Sequence, residues 1–375
     1  MPESHRRRRG PGFALAAAGL LLSATGCKPL AGKPAPDLPE LPPPAYVAPP
    51  SEAPQAPPEP TAPTEVLPPA PAPGATATLS PGTQKPPPST PRPPAPGGAP
   101  AAAQVPAPGQ VGFVGDRARL KVVDGPGSAP PGTTWNEGAL RFGGTVTLDG
   151  VWVKGGIEYH GGGKLTIRNS VIEGNRKSWS PILGNGGHID VRDTTVTYND
   201  SEWPGKAWGN GAIHGDATVT VIRCDISGTP DGIQNGPGKS LIEQNHIHDL
   251  LRAGTYPNNT HNDGIQAYGG SDLVIRYNRI DISADGKAYD GTHQNGAVFL
   301  MSSESPSTGI QIVGNYLSGG GYTLRVGAST KNAVIKDNTF GPTTGGWGEV
   351  LLDNGATVAE WQNNKNAANN QLNKP

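Results

Sequence analysis

LVIRYNRI at Leu273–Ile280 and QIVGNYL at Gln311–Leu317 share one pattern: alternating apolar residues, then an Asn, then another apolar residue two positions on. Read outward from Asn278 and Asn315, the pattern recurs at Val151, Ser170, Thr194, Cys224, Asn245 and Asn338, with Asn363 or Asn364 as a ninth occurrence. Successive occurrences are 19 to 37 residues apart. Two residues past this position stand Val153, Ile172, Val196, Ile226, Ile247, Ile280, Leu317 and Phe340, and three before it stand Leu148, Ile167, Val191, Val221, Ile275, Ile312 and Ile335. A short alternating segment cannot bury its apolar face alone, but stacked once per coil such segments build a continuous core. The chain is therefore expected to be all-β, a parallel solenoid of about eight to nine coils. The shortest spacings suit a three-sided β-helix, and the leucine consensus of a horseshoe repeat is absent. The recurring Asn is expected to turn inward and pass its amide to the next coil, with Asn245 between Cys224 and Asn278.

Composition divides the chain. His5–Arg9 are basic and Gly12–Thr25 form an apolar run too short for an ordinary membrane span, the pattern of a signal peptide over residues 1–27. Its end, Ser23-Ala24-Thr25-Gly26-Cys27, resembles a bacterial lipoprotein signal, although Ala24 stands where that family usually has Leu. The resemblance implies lipidation at Cys27 and a membrane-associated surface protein; a secreted product is the alternative, and no transmembrane domain is expected in the mature chain. Residues 28–110 are dominated by Pro and Ala. Such a stretch lacks the apolar surface to offset backbone ordering and reads as a disordered, extended stalk. The folded domain is expected over residues 111–375. Net charge is −1, which argues against an extended nucleic-acid surface. Cys27 and Cys224 are the two cysteines, and Cys224 falls in the inward ladder as a small buried spacer.

A second repeat runs through Asn210-Gly211-Ala212, Asp231-Gly232-Ile233, Asp263-Gly264-Ile265 and Asn295-Gly296-Ala297. It is expected to stack Asp231, Asp263 and Asn295 at one corner, where Asp and Asn satisfy turn amides and Gly permits a tight or left-handed bend. His261 and His293 lie two residues before Asp263 and Asn295, each after a Thr, and so should neighbour one another. An imidazole of ordinary pKa moves protons near neutrality, and a nearby carboxylate orients it. Gln234 and Gln266 are equivalent outward positions suited either to sugar hydroxyls or to a simple amide ladder. Tyr268 and Arg325 each follow a local Gly by four residues, offering a stacking platform and a fork for a carboxylate. The excursions Leu250–Thr260 and Ser283–Thr292 add Arg252, Tyr256, Lys287 and Tyr289. An earlier excursion adds Trp208 in the His261 column.

The rungs IEQNHI, IRYNRI and IVGNYL, with the paired NDGIQ and QNGAV segments, resemble right-handed parallel β-helix proteins of the bacterial polysaccharide lyase and uronate epimerase group over roughly Thr145–Asn364. What the resemblance implies is a groove across parallel strands and an acidic polysaccharide as ligand. His261 would then be the proton-abstracting base, assisted by His293 and Asp263, with Arg325 or Lys287 on the carboxylate and Tyr256 or Tyr289 returning a proton. Trp208, Gln234, Gln266, Tyr268 and Arg252 would line the substrate. β-Elimination needs such a base, a charge neutraliser and a proton donor. Hydrolysis needs two carboxylates instead, and Asp231 and Asp263, with Glu202, Asp285 or Asp290 nearby, keep it open. The Asp-Pro-His-Asp segment of alginate epimerases is absent; a metal such as calcium could bind the same acids, but no compact ligand spacing establishes one. The expected activity is a polysaccharide lyase on a uronate glycan; the alternatives are a noncatalytic glycan-binding or adhesion protein, a glycoside hydrolase or an epimerase.

Overall fold

The computed structural model describes residues 104–375, except residues 176, 177, 179, 199–210, 237 and 257. Cys27 and Trp208 lie outside the described residues. The fold is a right-handed parallel β-helix built of three long sheets. One coil illustrates the rest: a first-face strand Asn262–Ala267, a second-face strand Leu273–Arg276 and a third-face strand Arg279–Asp281. Each pairs in parallel with the matching strand of the coils before and after it. Among the described residues, nine such coils run from Ala139–Phe142 to Lys365–Asn366. The third face gains one further strand, Lys121–Val123, and the first face is extended at its start by Thr134–Asn136, which pairs antiparallel with Ala139–Phe142. No described helix is long and apolar enough to cross a membrane.

The bore is filled by the residues that the repeat marks. Val153, Ile172, Val196, Ile226, Ile247, Ile280, Leu317 and Phe340 are all fully buried in one column on the third face. Burying each such side chain contributes about 1.5–3 kcal/mol before the entropy of ordering is counted. Between second and third faces runs the polar ladder. Oδ1 of Asn245, Asn278, Asn315, Asn338 and Asn364 each accepts the backbone N–H of the ladder residue one coil earlier, at 2.8–3.2 Å. Each Nδ2 also donates back to a second-face carbonyl of the previous coil: Val221, Ile242, Ile275, Ile312 and Ile335. The amide of Asn245 additionally donates forward to Oδ1 of Asn278. The inward turn is thus as expected, and the ladder reaches backward as well as forward. Asn364 is the ninth member; Asn363 takes the preceding left-handed position.

The chain reaches the third face through one left-handed residue per coil: Asn169, Asp193, Arg223, Gln244, Tyr277, Asp337 and Asn363 all have φ between 46° and 58°, and Gly314 takes the same place at 68°. That conformation swings the following side chain into the bore. Non-glycine residues pay about 1–2 kcal/mol for it, which the three or four side-chain hydrogen bonds of each ladder Asn offset. Upstream, the ladder shortens to hydroxyl and thiol members. Ser170 Oγ accepts the N–H of Val151 at 3.2 Å. Cys224 is buried, its thiol pushed up to about 12 chiefly by that burial, so it serves as a spacer.

Candidate functional site

The first face carries the chemistry. Its outward side chains form a row across successive coils: His214 beside Gln234, Gln234 beside Gln266, Gln266 beside Phe299, Phe299 beside Arg325 and Arg325 beside Leu351. The equivalence of Gln234 and Gln266 is as the repeat implies. The register on either side differs. Gly211 stands opposite Asp231, one position from the alignment that pairs it with Gly232, and Asn210 lies outside the described residues. Between Asn262 and Asp263 the pairing slips, so Asp263 faces Gly296 and the extra residue Asn295 bulges. Consequently Arg325 belongs to the Gln266 row and not to that of Tyr268.

Asp231 and Asp263 sit at the corner where this row begins, one coil apart and each 1 % exposed. The backbone N–H of Asp263 donates to Oδ1 of Asp231 at 2.8 Å. Asn295 Nδ2 donates to both oxygens of Asp263, at 3.1 and 3.2 Å. The Gly residues that follow are there for closeness, not for a left-handed bend. A Cβ on Gly232 would lie 2.4 Å from the Gly264 carbonyl oxygen, and one on Gly264 would lie 2.3 Å from Ile280 Cγ2.

Burial raises both carboxyls above the ordinary carboxylate range, and the negative charge of Asp263 raises Asp231 further. On Asp263 burial is opposed by the Asn295 side chain, the Gly296 N–H and the positive charge of Arg325. Asp231 has only the Asp263 N–H in its favour. The two environments differ: three groups favour charge on Asp263 and one favours it on Asp231.

Above the pair lies an amide and phenol cluster. Gln234 Nε2 donates to Gln266 Oε1 and to the Tyr268 hydroxyl, both at 2.5 Å, and that hydroxyl donates to Gln266 Oε1 at 2.9 Å. The Tyr268 hydroxyl is raised to about 12 by burial and then by the charges of Asp231 and Asp263. Gln234 is buried, unlike a solvent-facing amide, and its Oε1 has no partner. The His214 imidazole is lowered by burial, with the neighbouring Gln234 side chain and the Asp216 charge acting against it. The Tyr268 residue as a whole is 41 % exposed.

The remaining expected residues divide into two groups. Arg325 lies over the Phe299 ring, 4.9 Å from its centroid, and its guanidinium engages both oxygens of Asp353 at 3.3 Å. His293 is oriented by Asp290, not by Asp263: Nδ1 is 2.9 Å from Asp290 Oδ2, and the buried Nε2 has no partner. Burial works against the Asp290 charge, but the N–H groups of His293 and Thr292 and the His293 ring hold it well below the usual range. Arg252 bridges Asp285 at 2.8 Å and Asp290 at 3.6 Å. His261 is exposed and neighbours His293 through the pairing of Asn262 with Gln294. Tyr289 packs edge-on to Trp347, Tyr256 is 73 % exposed, and Lys287 is exposed in a turn. His261, His293 and Asp263 thus share one strand margin, whereas Tyr256 and Lys287 stand out from it.

His214, Phe299 and Asp353 are members of this surface that the glycine-based alignment misses. The signal lies in the core: aligning Ile213 with Ile233, instead of Gly211 with Gly232, places His214 in the glutamine row. Comparisons with family models, with curated proteins and with solved structures find no match. The fold itself defines the class, a right-handed parallel β-helix protein with a polar, carboxylate-bearing face.

Proposed function

We propose that the protein is a carbohydrate-active enzyme that binds a polysaccharide across the coils of its first face and hydrolyses it with the Asp231 and Asp263 pair. The observation that carries this reading is the pair itself: two carboxyls one coil apart, both raised by burial, with more groups favouring charge on Asp263 than on Asp231. Neighbouring parallel strands lie about 4.8 Å apart, close to the roughly 5–5.5 Å between the carboxyls of retaining glycosidases. Asp231 would donate its proton to the departing glycosidic oxygen while Asp263 attacks the anomeric carbon. Water would then release the sugar, with Asp231 accepting the water's proton. Sugar hydroxyls would take over the contacts that Gln234 and Gln266 now make with Tyr268, and the Phe299 and Arg325 surface would extend the groove. Export, with lipid attachment at Cys27, belongs to the same reading, because a polysaccharide substrate lies outside the cell.

β-Elimination is the second reading, favoured by one observation: Asp290 fixes the His293 ring and leaves its Nε2 free, the arrangement of a general base. It is weakened because Arg325 and Arg252, the cations it would use on a uronate carboxylate, are already paired. The test is a product-resolved screen of neutral and acidic glycans with the parent, Asp263→Asn and His293→Ala. Saturated reducing-end products lost in Asp263→Asn support hydrolysis; ultraviolet-absorbing unsaturated ends lost in His293→Ala support elimination. Saturable binding with no product in the folded parent would leave a noncatalytic glycan-binding protein.

A further inference from the structure

The third face carries a second polar cluster that the first-face site does not use. Asp225 opens the strand Asp225–Ser227, and the neighbouring strand of the next coil is His246–His248. Two positions apart, the imidazoles leave their strand on the same side. They stack with centroids 3.9 Å apart and planes 15° apart. Asp225 Oδ1 lies 3.3 Å from His246 Nδ1 and 3.1 Å from His248 Nε2, and the three ligand atoms all lie within 4.8 Å of one another. A zinc-class ion holds N and O ligands at about 2.0–2.2 Å, so adjacent corners of its tetrahedron are about 3.3 Å apart. Both contacts of Asp225 match that edge.

The surroundings match as well. Asp249 Oδ2 sits 2.7 Å from His248 Nδ1. A carboxylate there accepts the Nδ1–H hydrogen bond and keeps that proton on Nδ1, so that loss of the Nε2 proton bares a lone pair towards Asp225, which is how outer carboxylates orient metal-binding histidines. The cluster opens onto a cavity of about 480 Å³ also lined by Pro108, Gly109 and Asp281. Arg279, which also lines it, is turned to other work. Its Nε donates to the Pro106 carbonyl at 2.9 Å and its guanidinium lies over the Tyr316 ring. Two imidazoles and one carboxylate suit borderline divalent transition metals, whereas calcium takes six to eight oxygens and magnesium keeps an oxygen octahedron.

We propose that Asp225, His246 and His248 bind a divalent transition-metal ion of the zinc class, with Asp249 orienting His248 and a coordination position open to the cavity. Stacked rings cannot both aim their in-plane lone pairs at one ion. Binding therefore turns one imidazole out of the stack, and the ion replaces the hydrogen bonds that Asp225 makes to the two rings.

The full chain, freed of metal by a chelator, is titrated with Co²⁺ and with Zn²⁺ alone. One equivalent of Co²⁺ is expected to give the visible ligand-field absorption of a four- or five-coordinate N/O site, displaced by Zn²⁺ and untouched by excess Mg²⁺ or Ca²⁺. His246→Gln with His248→Gln abolishes it, and Asp249→Asn weakens binding by about 10–100-fold. In the parent, Zn²⁺ shifts the ring ¹⁵N resonances of His246 and His248 and of no other histidine, a readout that does not depend on any variant folding. Absence of a saturable Co²⁺ spectrum, resonance shifts at other histidines instead, or one-equivalent binding retained in the folded double variant would each overturn the proposal.

Discussion

The backbone N–H of Asp263 donates to Oδ1 of Asp231 across one coil at 2.8 Å, while Asn295 binds both oxygens of Asp263. One carboxyl thus uses its neighbour's backbone, and the other is held by a bulged amide. The asymmetry gives the proposed acid and nucleophile different dependences on the leaving group.

Asp231→Asn is expected to lower turnover of natural glycan about 10²–10⁴-fold, the usual share of general acid catalysis. On an aryl glycoside with a good leaving group, which departs without protonation, the loss shrinks. Asp263→Asn is expected to abolish both. Steady-state rates on the two substrate types check this, and equal losses for Asp231→Asn on both would oppose its role as the acid.

The pH dependence of stability has a definite sign. Asp231 and Asp263 have folded pKa values above the 3.8 of a free carboxyl. The folded state then binds more protons than the unfolded chain between those values, so their contribution is complete below pH 3.8 and is lost as pH rises through the folded values. Asp225 is the reverse. Burial raises it, but hydrogen bonds from His246 and His248 win and bring it to about 2, so its contribution is complete above pH 3.8 and is lost as pH falls through about 2. Thermal unfolding midpoints against pH should fall less steeply towards neutrality in Asp263→Asn, and less steeply towards acid in Asp225→Asn.

Asn278 accepts from the N–H and the side-chain amide of Asn245 and donates to Ile242 and Asn315, all within the bore. Asn278→Ala strands several of these groups and is expected to destabilise the fold by at least about 3 kcal/mol. Asn278→Ser should lose less, since the hydroxyl of Ser170 already serves one ladder position. Denaturant unfolding of the two variants measures the difference.

Arg325 and Asp353 are partly exposed, with side chains 42 % and 21 % accessible. Breaking such a pair changes stability by about 0–1 kcal/mol. Arg325→Ala is therefore expected to unfold close to the parent yet to bind glycan more weakly, most of all an acidic one. Isothermal titration with intact and carboxyl-reduced glycan separates the effects of charge and of the Phe299 surface.

The coil count and the ladder were legible because the ladder position and the buried apolar residue two places later answer to one geometric demand, repeated in eight coils. The first-face site was legible only in part. Gly211, Gly232, Gly264 and Gly296 look equivalent as letters, but Gly232 and Gly264 exist to admit a neighbouring coil, and the bulge at Asn295 breaks the count. Inward aliphatics such as Ile213 and Ile233 keep true register because displacement would expose them. The partners of Arg325 and His293 were not legible, since Asp353 arrives from the following coil and Asp290 from an excursion of no fixed length. His246 and His248 were hidden in a rung whose Asn245 had already explained its place.

A product-resolved digest decides whether Asp263 is the nucleophile of a hydrolysis: the glycans are incubated with the parent and with folded Asp263→Asn, and the released ends are identified by mass, by ultraviolet absorbance and by proton NMR of the anomeric centre. Saturated products with retained anomeric configuration are expected from the parent and none from the variant. Unsaturated ends from the parent, or undiminished hydrolysis by Asp263→Asn, would contradict that role.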